Sequence, residues 1–291
     1  AKMREDRSLL GGLSLDPTVL TGVLAGAWQL ARRRLLEDRV AELHDLRCEL
    51  LGWVATYSSP AVKRLRLHVP GQTQGQPPTL SIGGEDPNRR ILMATVQLVA
   101  RDGYRDLSPA AIIDAAGVSY EDFFERHQTV EQCFLAAIEL IAAESLAYVW
   151  SRARAANDWI GATRLAIDAF LSHMAAEPTF APIAFVEVFA LDEPAMALRE
   201  RLLRSVEQLY IRHVDGPNPS PSALTAEAVV GALWGLVYDK AVRGESHRLP
   251  ELSEYAAYIA LAPVLGAGQA VERIVADRHM SDSDSDDSVK Q

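Results

Sequence analysis

Cysteine is scarce in this chain, two among 291 residues, and Cys48 and Cys133 stand far apart with no CxxC spacing. The pair reads as two small buried hydrophobes in a reducing compartment, with a disulfide between them as the alternative. Long apolar runs are missing too: none approaches the roughly 18 residues that suggest a membrane span. The opening AKMREDRSLLGG places charges on both sides of a very short apolar stretch, unlike a signal peptide. A cytoplasmic protein with no membrane partner is expected. Positive charge is in deficit, with 29 Lys and Arg against 39 Asp and Glu and a formal net charge of −10. That balance argues against indiscriminate coating of nucleic acid, while leaving room for one local basic face. Catalytic signatures are absent as well: there is no G-x-S-x-G elbow, Walker loop or H-E-x-x-H, and SIGGED follows no strand. The seven histidines are scattered without metal-ligand spacing. No enzyme, cofactor or metal site is expected.

What is present is helical period, with almost no strand-like alternation. Leu20, Val23, Leu24, Ala27, Leu30, Ala31 and Leu35 follow one helix face, and a second helix after Asp38 carries Leu43, Leu46, Leu50 and Trp53. The stretch HVPGQTQGQPPTLSIGGEDPN keeps no periodic face and reads as a flexible linker. Helical pattern resumes at Asn88 and runs to about Gly266. The ending SDSDSDDSVKQ has nothing to bury and is expected to be disordered.

Between Leu107 and His127, LSPAAIIDAAGVSYEDFFERH reads as two short helices about a Gly-centred turn. Gly103 stops the preceding helix. Ser108 caps the next with Pro109 at its first position, and Ser119 caps the one after. Gly117 makes the turn, Phe123 and Phe134 fill the centre, and Thr129 with Gln132 forms a capping box for a long helix. These pieces, ILMATVQLVARDGYRDLSPAAIIDAAGVS, Phe123-Phe124 and TVEQCFLAAIEL, resemble the TetR/AcrR family of bacterial repressors. The resemblance implies an all-α fold: a helix-turn-helix domain, then a helical ligand-binding and dimerisation domain. It also implies that Ser108, Ser119, Tyr120, Phe124 and Arg126 face DNA, and Arg89, Arg90 and His127 complete the candidate contacts. The chain departs from the family pattern at Phe124, which stands in place of Tyr, and at Val130, which stands in place of a phosphate-binding Lys. Acids also outnumber bases between Glu85 and Glu139, and Glu121, Asp122 and Glu125 lie on the recognition helix itself. Each feature weakens a phosphate grip.

A repeat completes the reading. Val23–Val54 and Val229–Ala260 align without a gap at an offset of 206, matching Trp28 with Trp234, Leu43 with Leu249 and Leu46 with Leu252. Both copies resemble the last two helices of a TetR-family regulatory domain, which form the family's dimer interface. Trp28, Leu46, Trp234 and Leu252 are the candidate dimerisation residues, and the two pairs are expected to bundle within one chain or to serve a homodimer. By the same resemblance an effector pocket lies between the two regions. Its candidates are Trp150, Trp159, Phe170, His173, Met174, Phe185, Phe189 and Tyr210, an aromatic set suited to a small apolar ligand. The expected organisation is residues 1–66 as an extra helix pair, 67–87 as linker, 88–140 as the DNA-binding domain, 141–277 as the regulatory domain and 278–291 as a disordered tail. The expected function is a TetR-like regulator of double-stranded DNA, a repressor in sign, that responds to a small apolar effector. The alternative is a degenerate regulator that serves as a dimerisation or interaction partner.

Overall fold

The computed structural model describes residues 15–68, 86–177, 179–190, 193–212 and 221–288, with side chains described as far as Arg278. No strand occurs among the described residues. The helices are α1 (Pro17–Leu36), α2 (Glu42–Asp45), α3 (Arg47–Thr56), α4 (Pro87–Asp102), α5 (Pro109–Ala116), α6 (Tyr120–Arg126), α7 (Val130–Ala153), α8 (Trp159–Ala176), α9 (Phe180–Phe185), α10 (Glu193–Arg212), α11 (Ala223–Val242), α12 (Ser253–Leu265) and α13 (Ala267–Ser288). Short polar side chains start most of them. Asp16 accepts from the Thr18 N–H at 2.8 Å, Asp158 from Gly161 at 2.7 Å and Ser222 from Thr225 at 3.1 Å.

Helices α4 to α6 close a small core around Ile91, Ile112, Phe123 and Phe134, each fully buried. Helix α7 then leads into the larger helical body of α8 to α13. By length and composition α7 is apolar enough to cross a membrane, a run the sequence reading did not register. It is a packing helix here: Cys133, Phe134, Ile138 and Ile141 are buried, while Glu139 and Glu144 pair with Arg201 and Arg89.

The N-terminal segment folds back onto the C-terminal one. Helix α1 lies antiparallel to α11, and the seam between them is made of small residues. A Cβ on Gly26 would collide with the carbonyl of Ala228, and one on Gly235 with the Cβ of Ala25. A Cβ on Gly231 would sit 2.6 Å from the Gln29 Cβ, and one on Gly22 3.6 Å from the Ala232 Cβ. Glycine inside a helix costs about 0.5–1 kcal/mol relative to alanine, so its value at this seam is the backbone approach it permits. The contacts are reciprocal at an offset of 206: Gly22 meets the counterpart of Gly26, and Gly26 meets the counterpart of Gly22. Ala25 and Gln29 repeat the exchange with Gly235 and Gly231. Such mutual pairing is the geometry of a two-fold axis.

The element bounds obey the same offset. Pro17–Leu36 maps residue for residue onto Ala223–Val242, and α3 begins at Arg47 where α12 begins at Ser253. Leu46 and Leu252, at the two N-caps, share helical backbone angles. The single second helix expected after Asp38 is in fact broken into α2 and α3 at Leu46. In the other half a 3-10 turn, Ser246–Leu252, occupies the corresponding place.

Charge locks α1 to α10 and α11. Arg33 grips Glu207 with two hydrogen bonds of 2.7 and 2.9 Å and reaches Glu200 at 3.2 Å. Arg34 pairs with Glu227, and Arg32 with Glu200 at 2.7 Å. Burial costs these charges hydration, and the mutual hydrogen bonds offset it. Burial also brings Arg199 down to about 10, helped by Arg32 and Arg33 and opposed by Glu200.

Three expectations change, one of burial and two of boundaries. Cys48 is exposed, not buried. The expected linker is narrower than 67–87, because the His68 N–H donates to the Glu251 carbonyl at 3.2 Å and α4 already starts at Pro87; residues 69–85 lie outside the described residues. The tail expected from 278 is anchored at its first residue: Arg278 is buried and donates to Glu254 at 2.6 Å and to the Arg64 carbonyl at 3.1 Å. Helical backbone continues from there to Ser288.

Candidate nucleic-acid interface

The helix-turn-helix forms where its caps place it. Gly103 ends α4 with φ 81°, and Gly117 turns the chain with φ 62° and ψ 42°, a left-handed conformation that glycine adopts without strain. Ser108 accepts from the Ala111 N–H at 3.3 Å. Ser119 accepts from the Asp122 N–H at 3.0 Å, while Asp122 takes the Ser119 hydroxyl at 2.7 Å and its N–H at 3.4 Å. That is a full capping box. The Ser119 bonds hold the Asp122 carboxyl below its usual range, with Arg126 adding to the effect. One of the three acids on α6 therefore serves to start the helix, a role the sequence reading missed although Ser-x-x-Asp spells it. Thr129 caps α7, but Gln132 returns to the Gln128 N–H at 3.0 Å, one residue earlier than expected.

The candidate contacts divide by what holds them. Tyr120, at the first position of α6, is 70% exposed and rests on Phe124, ring centres 4.4 Å apart. Ser108 and Ser119 keep their caps. Arg126 is exposed, but its guanidinium bonds the Asp122 carbonyl at 2.8 Å and approaches Glu125 at 3.8 Å. Arg89 is paired with Glu144 of α7, and Arg90 is half-buried beside it. His127 is a correction. It is only 6% exposed, its Nε2 lies 2.8 Å from Asn88 Oδ1, and burial first and Arg126 second push its pKa down. A neutral imidazole tied inward offers nothing to a phosphate. An open groove of about 590 Å³ runs along Pro109, Ala110, Ile113, Asp114, Gly117 and Tyr120.

Among the described effector candidates, Trp150 lines the cavity of about 600 Å³ formed with Ala147, Ser151, Ala153, Arg154 and Ala162. Trp159 is buried against Tyr210, whose hydroxyl donates to the Ala260 carbonyl. Phe170 neighbours Phe185, and Phe185 lies 4.1 Å from Trp234. His173 and Met174 are core, and the side chain of Phe189 lies outside the described residues. His173 is unusual in that both ring nitrogens are buried without a partner, between Tyr148 and Phe180, so burial lowers its pKa.

The candidate dimerisation residues are also redistributed. The seam between α1 and α11 runs over glycine and alanine, and neither Trp28 nor Trp234 sits in it. Trp28 faces solvent, whereas Trp234 faces the larger helical body beneath Arg199, 4.7 Å from the ring centre. The indole belongs to a helix face turned away from the small residues. Leu252 is buried and Leu46 half-buried, both in the common core.

No protein-family model matches the chain, and no curated protein does either. Solved structures do. The fatty acid degradation regulator FadR from Bacillus halodurans superposes with a TM-score of 0.53 at 15% identity, over 62% of this chain and 96% of that one. The transcriptional regulator FadR from Bacillus subtilis, solved in complex with stearoyl-CoA, gives 0.51 at 14% identity, over 60% and 96%. A regulatory protein in the tetR family from Rhodococcus RHA1 gives 0.47 at 16% identity, over 60% and 98%. The two FadR superpositions span nearly the whole of those regulators and leave more than a third of this chain outside: the chain has the all-helical fold of the FadR transcriptional regulators, with additional structure of its own.

Proposed function

We propose that the chain is a cytoplasmic DNA-binding transcriptional regulator, with α5 and α6 reading double-stranded DNA as one module. The observation that carries this reading is the turn at Gly117 with both flanking caps made, which leaves Tyr120 projecting from the N-terminal end of α6. Ser108, Ser119, Tyr120 and Arg126 are the contacts, and Arg126 must exchange its acid partners for phosphate to serve.

A small apolar effector acts through the cavity beside Trp150. The B. subtilis FadR holds stearoyl-CoA, a ligand with a long apolar chain and an anionic head. The indole of Trp150 and the guanidinium of Arg154 offer surfaces for the same two chemistries, and about 600 Å³ lies within the range of ligand pockets. Occupancy would shift α7, which carries the DNA module, and thereby set repression.

The chain acts as an intrachain pseudo-dimer, with α1 and α3 supplying what a second subunit's helix pair would supply. The helix-turn-helix of α5 and α6 would meet half of an ordinary operator, and a contact to one half-site lacks the gain of a tethered second one.

Fluorescence anisotropy against duplex from around its own gene tests the DNA reading. Saturable binding that exceeds scrambled duplex and weakens with salt is expected. Equal or absent binding to both duplexes at low salt would overturn it. The second reading, a regulator fold without operator grip, is favoured by one observation: the sole base of α6 is already bonded to that helix's own acids.

A further inference from the structure

Each close contact of the seam between α1 and α11 joins one glycine to one residue that carries a side chain. Gly26 lies against Ala228 and Gly22 against Ala232, whereas Ala25 lies against Gly235 and Gln29 against Gly231. Glycine and side chain change places along each helix, so the two faces are complementary rather than alike. At the offset of 206, a second copy's α11 standing where α1 stands would bring Ala232 to the place of Gly26. That methyl would meet the Ala228 carbonyl, a backbone group that cannot turn aside. Gly231 and Gly235 of the copy would take the places of Ala25 and Gln29. Glycine would then face glycine, and the contacts made by the Ala25 methyl and the Gln29 stem would be lost.

Charge draws the same distinction. Arg32, Arg33 and Arg34 of α1 answer Glu200 and Glu207 of α10 and Glu227 of α11. Their counterparts at the offset are Tyr238, Asp239 and Lys240. Arg33 makes three hydrogen bonds to Glu200 and Glu207, at 3.2, 2.9 and 2.7 Å. A second α11 would set the Asp239 carboxylate there instead, against two acids already withdrawn from water. Like charges so placed reject the partner that brings them.

We infer that these residues are a pairing code that selects α1 as the partner of α11 and refuses α11 of a second copy. Side-chain size and charge are separate properties, and both exclude the same competitor. The inference rests on the intrachain pairing proposed above and assigns the residues that enforce it. Its consequence is that this bundle does not tie the helix-turn-helix of α5 and α6 to that of another copy.

Sedimentation equilibrium of the full chain and two variants tests the code. The triple variant Ala232→Gly, Gly235→Ala, Asp239→Arg makes α11 complementary to itself, with one glycine at every contact and a cation for Glu207. The same changes spoil its match to Ala25. A two-chain particle is expected from the triple variant and a one-chain particle from the parent. Gly235→Ala alone spoils the match to Ala25 while leaving Ala232 and Asp239 in place, and it should remain one chain. Melting temperatures give a second reading that does not depend on the triple variant folding. Gly235→Ala should lower the melting temperature, and adding Ala25→Gly, which restores one glycine and one methyl to that contact, should recover most of the loss. A folded triple variant that stays one chain, a Gly235→Ala variant that pairs as readily, or no recovery with Ala25→Gly would overturn the code while the parent remains one chain. A two-chain parent would overturn the intrachain reading and the code with it.

Discussion

Asp38 and Gly244 stand 206 residues apart and share one backbone conformation, φ 56° at the aspartate and 69° at the glycine, each two residues after a 20-residue helix. Asp38 is the one non-glycine residue with positive φ among the described residues. A conformation that L-residues resist recurs at the same step of both halves, so the turn is set by the helix pair it must fold back. Aspartate tolerates the left-handed region better than most, yet glycine adopts it freely. Asp38→Gly is therefore expected to raise stability by about 0.5 kcal/mol, and Gly244→Ala to lower it by about 1–2 kcal/mol. Urea midpoints at constant slope report both.

The seam of the bundle makes a sharper prediction. Gly26→Leu drives a side chain into the Ala228 carbonyl and the Trp53 ring and should cost about 1–3 kcal/mol or more. Trp28→Ala, two residues along the same helix but facing solvent, should stay within about 0.5 kcal/mol in the isolated chain. Thermal denaturation of the two variants side by side separates the faces of α1; equal losses would contradict the packing described.

Acid should weaken the fold through its buried histidines. Burial lowers the pKa of both His127 and His173 from 6.5, so each is held neutral when folded and takes up a proton more readily when unfolded. Their contribution is fully present above pH 6.5 and is lost as pH falls through that value towards the lowered folded pKa. His173→Phe removes two unpartnered polar atoms and is expected to preserve or raise stability at pH 7 while flattening this slope. Melting temperatures between pH 8 and 5.5 measure both effects. A His173→Phe variant as pH-sensitive as the parent would count against the assignment.

The acids of α6 are not equivalent. Asp122 starts the helix, whereas Glu121 and Glu125 are exposed and make no cap. Glu121→Gln with Glu125→Gln should tighten duplex binding several-fold at low salt, with no loss of melting temperature. Asp122→Asn should lower the melting temperature. Anisotropy and calorimetry on the same preparations distinguish charge from capping.

Much of this fold was legible because its signals are local. Ser108, Gly117 and Ser119 announce the turn in sequence, and Val23–Val54 matches Val229–Ala260 at a constant offset before any fold is known. What escaped depended on rotation and distance. The period that placed Leu20, Leu24 and Leu35 on one face could not say that the neighbouring helix would choose the glycine face and leave these three exposed. The gathering of Arg33 with Glu207 joins residues 174 apart, and no periodicity encodes it. The inward turn of His127 followed from the small core of its module and from Asn88, both invisible to a reading by family position. The effector candidates were chosen as aromatics in a region; Trp150 lines a cavity, whereas Trp159, His173, Met174 and Phe185 are buried in the core. Aromatic content measures burial first and ligand contact second.

The most direct test of the account is the mass of the chain in solution, alone and on a short duplex. Each chain of 31.8 kDa holds its own four-helix bundle. Sedimentation equilibrium should therefore give a single-chain particle when purified, and one chain per duplex when bound. A stable two-chain particle in either state would contradict the intrachain pseudo-dimer and return α1 to the role of an extension packed beside an ordinary dimer.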